Sequence, residues 1–547
     1  MKMKGKKLTG LMLALIMAAG SLTACAGNGQ NVSESTAEKT TAAVAGSTGA
    51  AGTETTAGDF RSQLPEDFAV SIMLSDYEGS PNSGEYGPQI KSMIEEFTGY
   101  KLDIWWVTSD NFKDKLSTVL ASGVDSMPMI LKVTATDAVV VGAAQNGAFQ
   151  PIEDYVYDKD RFTWISQMKP ELARTFTVNG HLYGICSKGT IGRNGMGYRT
   201  DWAEALGLDT PKTVQDVYDM LYAFTYNDPD GNGKDDTYGL NLCSYTGPLN
   251  IMQTWFGCGS GWTEADDGTL VPVHMTEEYM QALDWFKKLQ DEGLIANDWA
   301  IRDTGSWKDD NCNGLAGMFV DTLDNSRRIW DYYVTNEIPS VTGSGEFASM
   351  TMVPGIAPDG SAKPGTQAAE QTTFFAVTKA AKTEAEVLAC LDFLDKMNSD
   401  EMKMLCGYGL QDIHWKLDEN GQVVKIDPDD KALHKGTSGL NQMLPNVNGG
   451  YAECYEFAWD DRVVVQNKAY DDAEKIAVFN PALSYTCGSP TYTTNGGNLD
   501  MILEDARTQY IVGQIDKQGL EDAWDLWYKS GGKEVIEEVN AQYQANK

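Results

Sequence analysis

Apolar positions near the start of the folded body switch between two periods. Residues 68–74 form a short apolar run that predicts a strand, and Ile90, Met93, Ile94 and Phe97 then fall on one helical face ended by Gly99. Residues 102–107 predict a second strand. Phe112, Leu116, Val119 and Leu120 mark a second helical stripe, closed by Ala121-Ser122-Gly123, and residues 129–133 a third strand. The β-α-β-α-β order predicts an α/β fold with a mostly parallel sheet and right-handed crossovers. The alternation recurs downstream: helical patterns at 202–206, 214–224 and 279–290, short strands at 317–320 and 374–377, and a helix through Val387, Leu388, Leu391 and Leu394. From 501 to 543 the pattern is nearly all helical. Aromatic-rich helices segregated at the end of an α/β chain suit two lobes that meet at a cleft.

The amino terminus follows a different logic. Lys2, Lys4, Lys6 and Lys7 precede a mostly apolar run over 8–20 and then Leu22-Thr23-Ala24-Cys25, the pattern of a secretory signal. That run is shorter than the roughly 20 residues needed to span a bilayer, and polar sequence follows it. Leu-Thr-Ala-Cys resembles a bacterial lipobox, which implies removal of residues 1–24 and acylation of Cys25, placing the protein on the extracytoplasmic face of the cell membrane through a lipid anchor. Residues 26–58 are mostly Ser, Thr, Ala and Gly with no aromatic residue, so 25–58 is expected to be a flexible tether. What remains is long enough for more than one lobe.

Composition narrows the partners. The formal charge of −35, or −39 once the four signal lysines are removed, disfavours nucleic acid and keeps a tethered protein soluble and monomeric. It also argues against a strongly anionic ligand unless a local basic group overrides the global field. Beyond Cys25, Cys186, Cys243, Cys258, Cys312, Cys390, Cys406, Cys454 and Cys487 are widely spread, with no Cys-x-x-Cys and no metal-ligand spacing. Buried free thiols are expected, with disulfides the alternative in an exported protein.

Several motifs in fixed order carry a family resemblance. Tyr198-Arg199-Thr200-Asp201-Trp202, Leu206-Gly207-Leu208-Asp209-Thr210-Pro211-Lys212-Thr213, Ala223-Phe224 and Asp228-Pro229-Asp230-Gly231-Asn232-Gly233-Lys234 resemble family 1 extracellular solute-binding proteins. More narrowly they resemble the large lipoprotein branch similar to alginate-binding proteins. Gly147-Ala148-Phe149 with Pro151-Ile152, Gly180-His181-Leu182-Tyr183-Gly184 and Trp527-Tyr528-Lys529-Ser530-Gly531-Gly532 agree. The resemblance implies a type II periplasmic-binding-protein-like fold with a hinge, one lobe built from 59–190 plus 318–410 and the other from 191–317 plus 411–547. It implies crossings near 186–197, 317–323 and 405–412. It also implies capture of an oligosaccharide for the permease subunits of an ABC importer, with no catalysis. Peptide or amino-acid capture is the alternative within the binding class, and an anchored glycosidase is the rival from another class.

Candidate site residues follow from chemistry. Asp228, Asp230, Asn232, Lys234 and Asp236 place oxygens at positions 1, 3, 5, 7 and 9 of a loop, the spacing calcium requires, with Lys234 offering only its carbonyl. Position 12 is Gly239 rather than an acid. The resemblance implies a structural calcium here; an Asx-rich turn without metal is the alternative. Sugar rings stack on aromatic planes, so Trp106 at a strand end and Trp255 with Trp262, which bracket the glycine-rich 256–261 segment, are candidates for a sugar cleft. Asp76 and Asp321, each at a strand end, are the polar candidates, and Arg199 could reach the cleft or be paired within its own lobe. The four histidines (His181, His274, His414, His434) form no i, i+4 pair, and neither a Gly-x-Ser-x-Gly elbow nor a phosphate loop occurs.

Overall fold

A computed structural model of the chain describes residues 60–76, 84–370, 372–427, 430–434, 439–448 and 456–546. The signal segment, Cys25, the tether and Cys454 lie outside the described residues.

Two principal sheets draw on nine strands, in chain order β1 (Ala69–Asp76), β2 (Lys101–Thr108), β3 (Ile130–Thr134), β4 (Gly184–Cys186), β5 (Asn194–Arg199), β6 (Tyr238–Asn241), β7 (Ala316–Thr322), β8 (Met350–Val353) and β9 (Thr373–Val377). The first sheet runs β2-β1-β3-β9-β4 and the second β8-β5-β7-β6. Both are mixed. The early β-α-β-α-β order supplies the parallel ladders β1–β2 and β1–β3, and strands arriving from distant parts of the chain supply the antiparallel ones, β3–β9 and β9–β4. In the second sheet β7 is parallel to β6 and antiparallel to β5, and β8 is antiparallel to β5.

Local sequence explains the frame. In β1, Val70, Ile72, Met73 and Leu74 are all buried, as a strand covered on both faces requires. The helix Gly87–Thr98 carries a proline in its first turn and ends at Gly99, whose φ of 76° only glycine adopts without strain and whose N–H bonds the Glu95 carbonyl. Ile90 and Ile94 of its expected stripe are buried, whereas Met93 and Phe97 project to solvent. Each sheet anchors its own core: Ile72, Ile130, Leu131, Phe374 and Phe375 belong to one, and Trp202, Phe224, Leu240, Met318 and Val320 to the other. Separate cores make two lobes.

Two expected boundaries are corrected. Leu440, Met443 and Val447, expected in the second lobe within 411–547, belong to the first core. The return to the first lobe was expected near 317–323, with 318–410 belonging there, but β7 and β8 both pair inside the second sheet. Gly317 is flanked by Met318, Phe319 and Val320, all fully buried, so this run is an interior strand of the second sheet rather than a lobe border. Gly317 itself has no room for a side chain, because an added Cβ would lie 2.2 Å from the Phe224 ring. The chain rejoins the first sheet at β9.

Four helices follow near the carboxyl end: Leu483–Cys487, Pro490–Ile511, Lys517–Trp527 and Lys533–Ala545. Ala506, Tyr510, Ile511 and Leu520 join the second core, and Leu499, Trp527, Val535 and Val539 form a satellite cluster with Trp262 and Leu270. Cys186, Cys243, Cys258, Cys312, Cys390, Cys406 and Cys487 are free thiols, five of them buried. Among the described residues, no helix is long and apolar enough to cross a membrane.

Candidate functional site

The register of the first sheet defines one wall of a cavity. Asp76 pairs with Thr108 and Thr373 with Thr134, so these residues share the edge formed by the carboxyl ends of the parallel strands. Just beyond that edge, Thr136 and Thr372 line a cavity of about 540 Å³. Open α/β sheets bind ligands at this edge. The opposite wall comes from the second lobe: Asn250 and Gln253 on the helix Gly247–Gln253, then Ser260 and Trp262, then His274 and Tyr279. The helix Pro490–Ile511 supplies Tyr492, Asp500 and Arg507, and Trp527 comes from the next helix. Gln367 and Glu370, in the stretch between β8 and β9, complete it.

These side chains set an unusual electrostatic balance. Arg507 is only 5% exposed, and its Nη1 donates to Asn250 Oδ1 at 2.7 Å. Burial raises the Tyr279 hydroxyl above its ordinary range, opposed by the positive charge of the nearby Arg507 guanidinium. Burial pushes the Glu370 carboxyl up to about 7, even though it accepts the Asn480 N–H. Burial holds His274 down to about 3, so its ring, edge-on to Trp527 at 4.5 Å, is neutral at physiological pH. Tyr492 donates to Asp500 Oδ2 at 2.6 Å. Aromatic rings beside hydroxyls, amides and carboxylates form a surface suited to a polyhydroxylated solute.

Of the six side chains expected at the ligand site, Trp262 lines this cavity. Trp255 is a correction: it is fully buried in the second core, edge-on to Trp285 with centroids 6.5 Å apart. Glycines on one side of a residue do not keep it from packing against a helix on the other. Arg199 takes the paired role rather than the ligand-site one: it is 3% exposed and held by both oxygens of Asp201 at 2.8 Å between Trp202 and Tyr333, 4.8 and 5.0 Å from their centroids. Trp106, Asp76 and Asp321 also stand outside the cavity walls. Trp106 pairs with Leu74 on the edge strand, packs against the first core and leaves its indole nitrogen buried without a partner. Asp76 closes the ladder beside Thr108. Asp321 accepts from Asn325 at 2.5 Å within its own lobe, and burial raises its carboxyl.

The expected calcium loop is tied up in its own hydrogen bonds. Asp228, at φ 47°, accepts from the backbone N–H groups of Asn232 and Gly233 at 3.0 Å each, and the Asn232 amide nitrogen bridges Asp230 at 2.7 Å and Asp236 at 3.1 Å. Among the described residues, no three His, Cys, Asp or Glu side chains converge closely enough to hold a metal ion.

Sequence reasoning missed Asn250, His274, Glu370 and Arg507. Arg507 left a trace: it sits within the stripe Leu499, Leu503, Ala506 and Tyr510, where a charged residue needs a reason to be buried.

Comparison with known proteins agrees with this architecture. The chain is 35% identical over 484 residues to lipoprotein LipO of Bacillus subtilis (strain 168), covering 86% of this chain and 91% of that one. It is 28% identical over 459 residues to the polygalacturonan/rhamnogalacturonan-binding protein YtcQ of the same organism, covering 83% and 88%. An HMO-binding, ABC-transporter-associated solute-binding protein from Bifidobacterium longum infantis shares the fold, with a TM-score of 0.61 at 18% identity over 88% of this chain and 99% of that one. The profile of the bacterial extracellular solute-binding proteins matches residues 80–404, and the chain belongs to that family.

Proposed function

We propose that the protein is the capture component of an ABC importer, and that it takes an oligosaccharide into the cavity between its two lobes. The observation that carries this reading is the make-up of that cavity. Trp262, Tyr279 and Trp527 offer aromatic surface beside the hydrogen-bonding groups of Asn250, Gln253 and Gln367, facing Thr136 and Thr372 at the edge of the first sheet. Closure of the lobes on the ligand would present a matched surface to permease subunits. Family members bind solutes rather than transform them, and the relatives named for a ligand are named for glycans. The test is a calorimetric titration of the full-length protein with oligosaccharides and, separately, with short peptides. Glycan binding supports the reading; binding confined to peptides overturns it.

The lipobox-like Leu22-Thr23-Ala24-Cys25 supports lipid anchoring at Cys25, as does the relation to a lipoprotein. Cys25→Ala should release the protein from membranes, and retention would show another anchor. Calcium is supported by the oxygen donors of Asp228, Asp230, Asn232 and Asp236, which share one loop. The bridging Asn232 amide already fills the space between two carboxylates, and turning it by half a turn would face its oxygen there. A cation would crosslink the loop without chemistry of its own. A melting temperature unchanged by chelator would remove calcium from the account.

A further inference from the structure

We infer that the solute taken by this cavity carries a carboxylate, as an oligosaccharide with a uronic acid residue does, and that the guanidinium of Arg507 receives it. The inference rests on the reading of the cavity as the ligand site and narrows the chemical class of the ligand.

Arg507 differs from the other buried or half-buried arginines. Arg199 is held by Asp201, Arg193 by Asp324 and Arg302 by Asp310. Arg507 is as buried as Arg199, yet among the described residues no carboxylate oxygen lies within 4.0 Å of it. Its hydrogen-bond partner is neutral, the Asn250 amide oxygen, with the Tyr279 hydroxyl nearby. Its Nε is buried with no partner. A desolvated guanidinium without a counter-charge is costly, and a partner that arrives with the ligand removes that cost only when the site is filled.

The chemistry of the other groups selects a carboxylate. A guanidinium presents a planar fork that matches a carboxylate with two parallel hydrogen bonds, which a lysine cannot do. The cavity's own acids are engaged elsewhere or set apart: Asp500 accepts from Tyr492, Glu370 accepts the Asn480 N–H, and Glu504, one turn before Arg507, is exposed and outside pairing distance. These acids suit hydroxyl groups of the same ligand, and their proximity would penalise a doubly charged phosphate more than a singly charged carboxylate. The acidic surface of the whole chain argues against an anionic ligand at long range, but a buried group acts at short range where that field is not decisive.

The test titrates the full-length protein with trigalacturonate, with its fully methyl-esterified form and with a tripeptide bearing a free carboxyl terminus. The ester keeps the sugar rings and removes the charge while adding one methyl group to each carboxyl, and the salt dependence separates charge from bulk. The acid should bind about tenfold or more tightly than the ester, the range expected for one charge-assisted contact, and its affinity should fall as salt is raised. Arg507→Gln should close the gap between acid and ester, and Arg507→Lys should restore part of it. Equal binding of acid and ester by the unaltered protein overturns this inference and leaves the glycan reading standing. Binding of the tripeptide with neither glycan overturns both. Should Arg507→Gln fail to fold, the acid-to-ester ratio and the salt dependence of the unaltered protein decide alone.

Discussion

The core of the second lobe and the cavity beside it treat buried charge in opposite ways. In the core, Arg199 is 3% exposed and meets Asp201, 2% exposed, through two hydrogen bonds of 2.8 Å, and Asp201 also accepts the Val341 N–H at 3.0 Å. In the cavity, Arg507 is buried to nearly the same degree with neutral partners, Glu370 keeps its proton up to about 7, and His274 stays neutral down to about 3. A packed interior closes its electrostatics because nothing else will ever arrive there. A binding cavity leaves groups unmatched, and the unmatched groups describe what is missing.

The contrast breaks most visibly at Arg199. Arg199→Met would leave Asp201 buried with its countercharge gone, which costs about 3–5 kcal/mol of unfolding free energy. Denaturant unfolding at neutral pH measures it, and adding Asp201→Leu should recover a large part of the loss. A single-variant loss below about 1 kcal/mol would mean that this pair is no more structural than a surface ion pair.

Glu370 sharpens the contrast through pH. Burial raises its folded-state pKa from 4.5 to about 7, so its contribution to stability is fully present below pH 4.5 and is lost as pH rises through about 7, because the unfolded chain releases the proton first. The shift corresponds to at most about 3 kcal/mol between those limits. His274 acts in the other direction: with its pKa lowered to about 3, stability is present above 6.5 and falls as pH drops below that value. Glu370→Gln should therefore flatten only the loss between pH 4.5 and 7. An unchanged pH profile in that variant would show that Glu370 is solvated, like an ordinary surface acid.

These two regions also explain what could be read from sequence. The strand and helix order of 68–133 was legible because periodicity reports burial directly, and β1, β2 and β3 stand close to where the pattern put them. The lobe border was not, since a run such as Gly317-Met318-Phe319-Val320 looks the same whether it crosses between sheets or lies inside one. Trp255 and Trp262 flank the same glycine-rich segment, yet Trp255 faces the helix Glu277–Asp291 through Trp285 and is sealed, whereas Trp262 starts a short strand and reaches the cavity. Composition cannot separate them because the difference lies in which distant element covers each ring. Arg199 drew attention through a motif, and Arg507 did not, although pairing makes the first structural and its absence makes the second informative.

The smallest expected effect gives the sharpest version of the comparison. Arg507→Met removes a buried charge that has no carboxylate within 4.0 Å among the described residues, so the unfolding free energy of the ligand-free protein should change by no more than about 1 kcal/mol, in either direction. Two terms oppose each other. Asn250 Oδ1 loses its hydrogen-bond partner, which costs about 1 kcal/mol. Against that, the desolvation cost of the guanidinium disappears, and methionine fills much of the same volume with a flexible apolar chain. The same substitution at Arg199 has no such compensation, because it strands a carboxylate. Unfolding both variants in one denaturant series, without ligand, compares two arginines of similar burial, one paired with a carboxylate and one not. A loss of 3 kcal/mol or more at Arg507 would place it with Arg199 as a structural group and would remove the physical reason for reading its environment as an incomplete site.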